Sequence, residues 1–189
     1  MTAAGDIATE VLRRPPTLPP SLRSPQKLGG VRLLCIDGPA GSGKTTLAAE
    51  VAEEHPSAVV VHMDDVFEGW DGLADAPRRV REHIIDPLRR GDTAAFRRYD
   101  WRRTELAETI TLPTTDLLVI EGVAAGDPTY ADAVTLLVYV TAPMQTRLRR
   151  GLERDGEPMR PQWLRWQEQE AAYLREARTE ERADVVLRT

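Results

Sequence analysis

The sequence is short of several residue types that carry chemistry. Cys35 is the only cysteine in 189 residues, so no disulfide can form within the chain, and its apolar surroundings mark it as a buried, inert thiol. His55, His62 and His83 show no metal-ligand spacing and read as structural. Lysine is reduced to Lys27 and Lys44 among many arginines. No apolar run approaches about 18 residues and no signal-peptide core is visible, so a membrane span is not expected and the cytoplasm is the default location. A net charge of −5 gives no support to a nucleic-acid surface. The guanine-reading patterns N-K-x-D and T-K-x-D are missing, which favours ATP over GTP. A hydrophobic content of 41% is ordinary and sufficient for one compact domain with a sizeable core.

One of the two lysines falls in the stretch around which the rest is organised. Gly38-Pro39-Ala40-Gly41-Ser42-Gly43-Lys44-Thr45 reads G-x-x-x-x-G-K-T, a phosphate-binding loop. An apolar run from Val31 to Ile36, closed by Asp37, predicts a strand before it, and Leu47 and Val51 predict a helix after it. Glycines let successive N–H groups turn into a concave nest for phosphate oxygens, and the positive end of the helix faces the same anion. The expected nucleotide contacts are Gly38, Ala40, Gly41, Ser42, Gly43, Lys44, Thr45 and Thr46. Lys44 supplies a compact cation and the Thr45 hydroxyl a ligand for Mg²⁺.

Along the chain, residues 1–30 read as a proline-rich arm. Ile7, Val11 and Leu12 suggest a short helix, and Pro15, Pro16, Pro19, Pro20 and Pro25 an extended, solvated connector that builds no core. Residues 31–189 read as the domain proper. Strands are expected at 31–36, 58–61, 117–120, 134–140 and 183–187. Helices are expected after the loop, over 75–90 with Pro87 as a kink or end, from Pro143 to about Arg154, and over 161–178 with Trp163, Trp166, Ala171 and Leu174 making contacts. Alternating strands and helices predict an α/β, three-layer P-loop NTPase fold with a mainly parallel five-stranded sheet covered on both faces.

Three groups carry candidate chemistry. Glu121 closes an apolar strand, the pattern that serves Mg²⁺ beside such a loop. Asp64 and Asp65 also follow a strand, on the side where open α/β sheets bind ligands. One of them can accept the proton of an attacking hydroxyl or help hold Mg²⁺, with Asp64 ahead. Arg147, Arg149, Arg150, Arg154 and Arg160 surround a helix end and a Gly/Pro break. They read either as a lid over residues 147–162 that neutralises a transferring phosphoryl group or as a solvated helix face, with Arg147, Arg150 and Arg154 sharing one side. Tyr99 and Trp101 alternate around Asp100, suited either to stacking on a planar substrate or to core packing.

Taken together, these motifs resemble the uridine/cytidine kinase branch of the P-loop nucleoside and nucleotide kinases, from about Val31 to Leu187. His62-Met63-Asp64-Asp65-Val66-Phe67 is similar to that family's strand-end segment, whose Asp near a Phe accepts the proton. Counting allows either aspartate, and the match places Asp64 there. Tyr99-Asp100-Trp101 resembles its Tyr-Asp-aromatic motif, whose Tyr contacts the base and whose Asp contacts the sugar region. Val119-Ile120-Glu121-Gly122, the lid arginines and Ala183-Asp184-Val185-Val186 match further segments. The histidine that the family sets against the pyrimidine has no counterpart near Thr104. The resemblance implies ATP and Mg²⁺, a small-molecule acceptor contacted by Asp65, Tyr99, Asp100 and Trp101, no nucleic acid, no membrane, and a homodimer as an allowed assembly.

Overall fold

The computed structural model describes residues 2–22 and 29–189; Pro25 of the arm and Lys27 lie outside the described residues. In chain order the elements are α1 (Ala3–Arg13), β1 (Arg32–Asp37), α2 (Lys44–Glu54), β2 (Val59–His62), α3 (Ala76–Val80), α4 (Asp86–Arg89), β3 (Ala95–Asp100), β4 (Glu105–Thr111), β5 (Leu117–Glu121), β6 (Leu136–Thr141), α5 (Met144–Asp155), α6 (Arg160–Glu176), α7 (Thr179–Arg182) and β7 (Val185–Arg188). Strands buried on both faces need near-continuous apolar residues, and β1, β5 and β6 supply them between their polar ends, Arg32, Asp37, Glu121 and Thr141. They form the middle of a five-stranded sheet in the order β2-β5-β1-β6-β7, parallel throughout.

The sheet has a hydrophobic core on each face. Leu34, Ile36, Val119 and Val138 meet Leu47, Ala48 and Val51 of α2 on one side. Leu33, Cys35, Leu118 and Ile120 meet Phe67, Ile84, Tyr130 and Trp166 on the other. The expected five strands, their parallel sense and the helices on both faces are all present. Because all five strands run the same way, their C-terminal ends gather along one edge, and the loop after β1, the segment after β2 and Glu121 at the end of β5 come together there.

Three features depart from expectation. Residues 3–13 are not a solvated arm. Ala4, Ile7, Ala8 and Val11 of α1 are buried against α2, and Leu18 pairs with Val31 at the start of β1. The small alanines let α1 sit close, so its apolar face is wider than the bulky residues alone suggest. The span 75–90 is helical but not uniform: a π-helical turn, Arg81–Ile85, joins α3 to α4 just before Pro87. Proline lacks an N–H and crowds the carbonyl four residues back, so the wider turn accommodates it. The third departure is an antiparallel hairpin, β3–β4, forming a second sheet that the sequence reading did not foresee. Among the described residues no helix is long and apolar enough to cross a membrane.

The burial of α1 predicts a measurable contribution. Ile7→Ala should lower the unfolding free energy by about 2–4 kcal/mol in urea titrations, as for other buried large-to-small changes. A loss under about 0.5 kcal/mol would return α1 to the solvent.

Candidate active site

The phosphate-binding loop is shaped by backbone conformations that exclude side chains. Gly38, Gly41 and Gly43 all have positive φ, and a Cβ on Gly38 would lie 2.0 Å from the Val140 carbonyl oxygen. Gly38 is therefore a packing glycine where the chain crosses β6, and its N–H donates to Asp37 Oδ1 at 2.6 Å. The Ala40 N–H is likewise committed, donating to Glu170 Oε2 at 2.7 Å. Downstream the loop is open for an anion. The first N–H of α2 to find a helical carbonyl is that of Leu47, on Gly43, which leaves the N–H groups of Gly43, Lys44, Thr45 and Thr46 at the helix's positive end. The Ser42 hydroxyl is buried without a partner among the described residues.

Lys44 is buried at the loop's mouth, and its ammonium donates to the Pro39 carbonyl at 2.9 Å. Burial holds its pKa below the usual lysine value, against the opposing pull of Glu121, Glu170, Asp37 and Asp64. The Thr45 hydroxyl donates to Glu121 Oε1 at 3.1 Å, which fixes its proton and leaves its lone pairs for a cation. This oxygen pair suits Mg²⁺, which takes one or two protein oxygens and otherwise keeps phosphates and waters. Among the described residues no cluster of three or more acidic, histidine or cysteine side chains could hold a metal by itself.

A cavity of about 680 Å³ opens over these groups. Its floor includes Lys44, Thr45 and Glu121, one wall carries Asp64 and Phe67, and the opposite side carries Arg154, Asp155 and Met159. Asp64 faces the open cavity and yet is packed round by protein. Burial first, then the charge of Glu121, raise its pKa, with Lys44 pulling the other way. A carboxylate so raised is a better proton acceptor. Asp64 lines the cavity and Asp65 does not.

The lid arginines divide along the helix. Arg154 lines the cavity, paired with Asp155 at 2.7 Å and lying over the Trp163 ring. Arg147 and Arg150 do not reach it. Arg147 is held by Glu170 at 2.6 Å and by the Ala142 and Ala40 carbonyls, and Arg150 donates to the Gly41 carbonyl and to Thr189. Both bond carbonyls of the phosphate loop outside the cavity lining. Arg149 and Arg160 pair with Glu153 and Glu157 on the surface.

All four tryptophans line the cavity: Trp70, Trp101, Trp163 and Trp166. Edge-to-face contacts run from Tyr99 through Trp101 and Trp70 to Trp166 and Phe67, with ring centroids 5.1–5.9 Å apart. Trp101 is tied down by its indole N–H, which donates to the Asp64 carbonyl at 2.8 Å. Of the expected substrate residues only Trp101 lines this cavity. Tyr99 backs it, and Asp100 is used to turn the hairpin, its carboxylate accepting from the N–H groups of Arg102 and Arg103. On α6, Ala171 is exposed instead of packed.

Four residues of the site escaped the sequence reading. Arg102 lines the cavity from the hairpin tip, and its guanidinium has no partner among the described residues. Asp37 is buried and accepts from the N–H groups of Gly38, Ala124 and Gly126, with its pKa pushed up to about 6 by burial. Glu170 is described above. His62, read as structural, places Nδ1 2.6 Å from Glu121 Oε1. The available signal for His62 was its place as the last residue of a strand, as Glu121 is of its own.

Comparison with known proteins places the chain among nucleotide-binding proteins. Residues 34–183 match the model of a family described as AAA domain. The chain is 30% identical to a uridine kinase of Halobacterium salinarum over 139 residues, which cover 64% of this chain and 60% of that one. It is 32% identical to a cytidylate kinase of Methanococcoides burtonii over 124 residues, covering 66% and 63%. Both alignments span less than two thirds of the relative's length. The structure of a possible uridine kinase from Bacillus stearothermophilus superposes with a TM-score of 0.68, covering 97% of this chain and 96% of that one at 22% identity, and shares the fold.

The bracing role of Arg147 separates it from a mobile lid. Arg147→Ala and Glu170→Ala should each cost about 3–5 kcal/mol of stability, since each strands a buried charge. The double variant should cost less than the sum of the two. Additive losses in denaturant unfolding would contradict the pairing.

Proposed function

From the premise that the chain belongs to the AAA domain family and resembles the uridine kinase-like branch of the P-loop kinases, we propose that it transfers the γ-phosphate of ATP to a hydroxyl of a small molecule, in first place a nucleoside. The observation that carries the reading is the meeting of Lys44, Thr45, Glu121 and Asp64 on one aromatic-walled cavity. A phosphate-binding loop alone would equally serve a regulatory nucleotide-binding protein. A proton acceptor facing the same cavity gives it a reaction.

In this reading the β- and γ-phosphates lie against the N–H groups from Gly43 to Thr46, with Lys44 neutralising the charge that spreads in transfer. Mg²⁺ bound with the nucleotide shields the phosphate oxygens, and Thr45 and Glu121 are the residues that would hold it. Asp64 orients the acceptor hydroxyl and takes its proton as the new P–O bond forms. Arg154 adds a second cation from the α5 side. The tryptophan wall offers apolar surface for a planar ring, and a ring seated there displaces water that would otherwise compete as acceptor.

A second reading, a kinase for an anionic acceptor such as a nucleoside monophosphate, draws support from Arg102. A partner-free guanidinium on the cavity wall suits a phosphate or carboxylate. Acceptor-stimulated ADP release separates the two. Uridine or cytidine should stimulate it under the first reading, and their monophosphates under the second. Nucleotide binding with no stimulation by any hydroxyl compound would leave a binding protein.

Four variants test the roles. Lys44→Ala should abolish transfer, and undiminished turnover would remove the assignment. Asp64→Asn should lower the transfer rate by ~10²–10⁴ with ATP binding near normal, while Asp65→Asn is milder. Trp101→Ala should raise KM for the acceptor more than KM for ATP, because ring packing is binding energy present before the transition state.

A further inference from the structure

The strand register sets His62 directly beside Glu121. β2 and β5 are parallel neighbours, and these two residues are each other's partners at the C-terminal ends of their strands. The result is a bond from His62 Nδ1 to Glu121 Oε1 of 2.6 Å, the same oxygen that accepts from the Thr45 hydroxyl. The Glu121 side chain is only 6% exposed, whereas that of His62 is 43% exposed. A buried carboxylate needs donors, and among the described residues these two are the only ones whose side chains bond it.

We infer that His62 is a positioning residue for the proposed cation site, holding Glu121 in the rotamer that presents its second oxygen toward the phosphates and keeps Thr45 oriented. The inference rests on the reading of Thr45 and Glu121 as the residues serving Mg²⁺. It does not depend on His62 being charged, because a neutral ring protonated at Nδ1 donates the same bond. Both donors converge on Oε1, so Oε2 is left as the free acceptor of a fixed carboxylate. Without His62 the carboxylate keeps only the Thr45 hydroxyl. That hydroxyl can then rotate with the carboxylate, so both groups lose their orientation together. Partners that orient such a carboxylate commonly change metal affinity by ~10–100-fold.

The test measures binding of a fluorescent ATP analogue, without acceptor or turnover, across a Mg²⁺ titration. In the wild type Mg²⁺ should tighten binding. In His62→Ala the Mg²⁺ concentration for half the effect should rise ~10-fold or more, with analogue affinity in the absence of Mg²⁺ unchanged as the sign of an intact loop. His62→Asn, whose amide can donate to Glu121, should recover most of the loss. A wild type indifferent to Mg²⁺ would remove the cation site and this inference with it, leaving the kinase reading to the ADP assay. A Mg²⁺-dependent wild type with an unaltered His62→Ala midpoint would overturn the role of His62 alone. Equal loss in His62→Asn and His62→Ala would also overturn it.

Discussion

A buried carboxylate, that of Asp37, holds the mouth of the site together. It closes β1 and accepts from Gly38, where the phosphate loop begins, and from Ala124 and Gly126, beyond the end of β5. Three backbone donors converge on it, and it sits where Gly38 passes within reach of the β6 backbone. Burial raises its pKa while these bonds and Lys44 oppose the rise. Parallel strands end in loops that would otherwise splay apart. Asp37 makes the loops after β1 and β5 a single unit, so that Lys44 and Glu121 keep a fixed relation. Tyr130 and Arg182 bond carbonyls of the Ala124–Gly126 segment and extend the same network to the rest of the chain.

What the sequence made legible follows from how each signal is encoded. The strands were readable as near-continuous apolar runs, longest in the central β1, β5 and β6, and the phosphate loop because its glycines sit at fixed spacing before a helix. Asp64 and Glu121 were readable because each stands at the end of such a run. β4 was not. Glu105–Thr111 is largely exposed on both faces and so shows no apolar alternation. Asp37 and Glu170 were missed for a related reason. Asp37 binds backbone N–H groups, which every residue carries, and the partners of Glu170 are the Ala40 N–H and an arginine 23 residues away, so nothing local marks either contact in the sequence. The bond of His62 to Glu121 depends on strand order, which is a tertiary fact.

The arginines show where local periodicity runs out. Arg147, Arg150 and Arg154 do share one side of α5, as helical spacing requires. At 1.5 Å per residue, however, the first and last are roughly 10 Å apart along the axis. That distance separates the back of the phosphate loop from the cavity mouth. Periodicity fixes the face but not the level at which the face meets its target, so one stripe of arginines performs two tasks. The first two secure loop carbonyls, and only the third faces the cavity.

This division explains why α6 matters as much as the loop it supports. One face of α6 carries Glu170 onto the Ala40 N–H and, through Arg147, onto α5. The same helix carries Trp163 and Trp166 into the cavity wall. Gly151 allows Trp163 to pack so close that a Cβ there would lie 2.4 Å from the ring. The two helices are thus joined by a buried ion pair at one end and by an indole packed on a glycine nearer the other. A hinged flap would keep its charged residues in water. Here the charges that join the helices are buried, so α5 and α6 act as one packed wall common to the nucleotide end and the aromatic end of the cavity. The phosphate loop and the tryptophan-lined wall therefore share one support in α6.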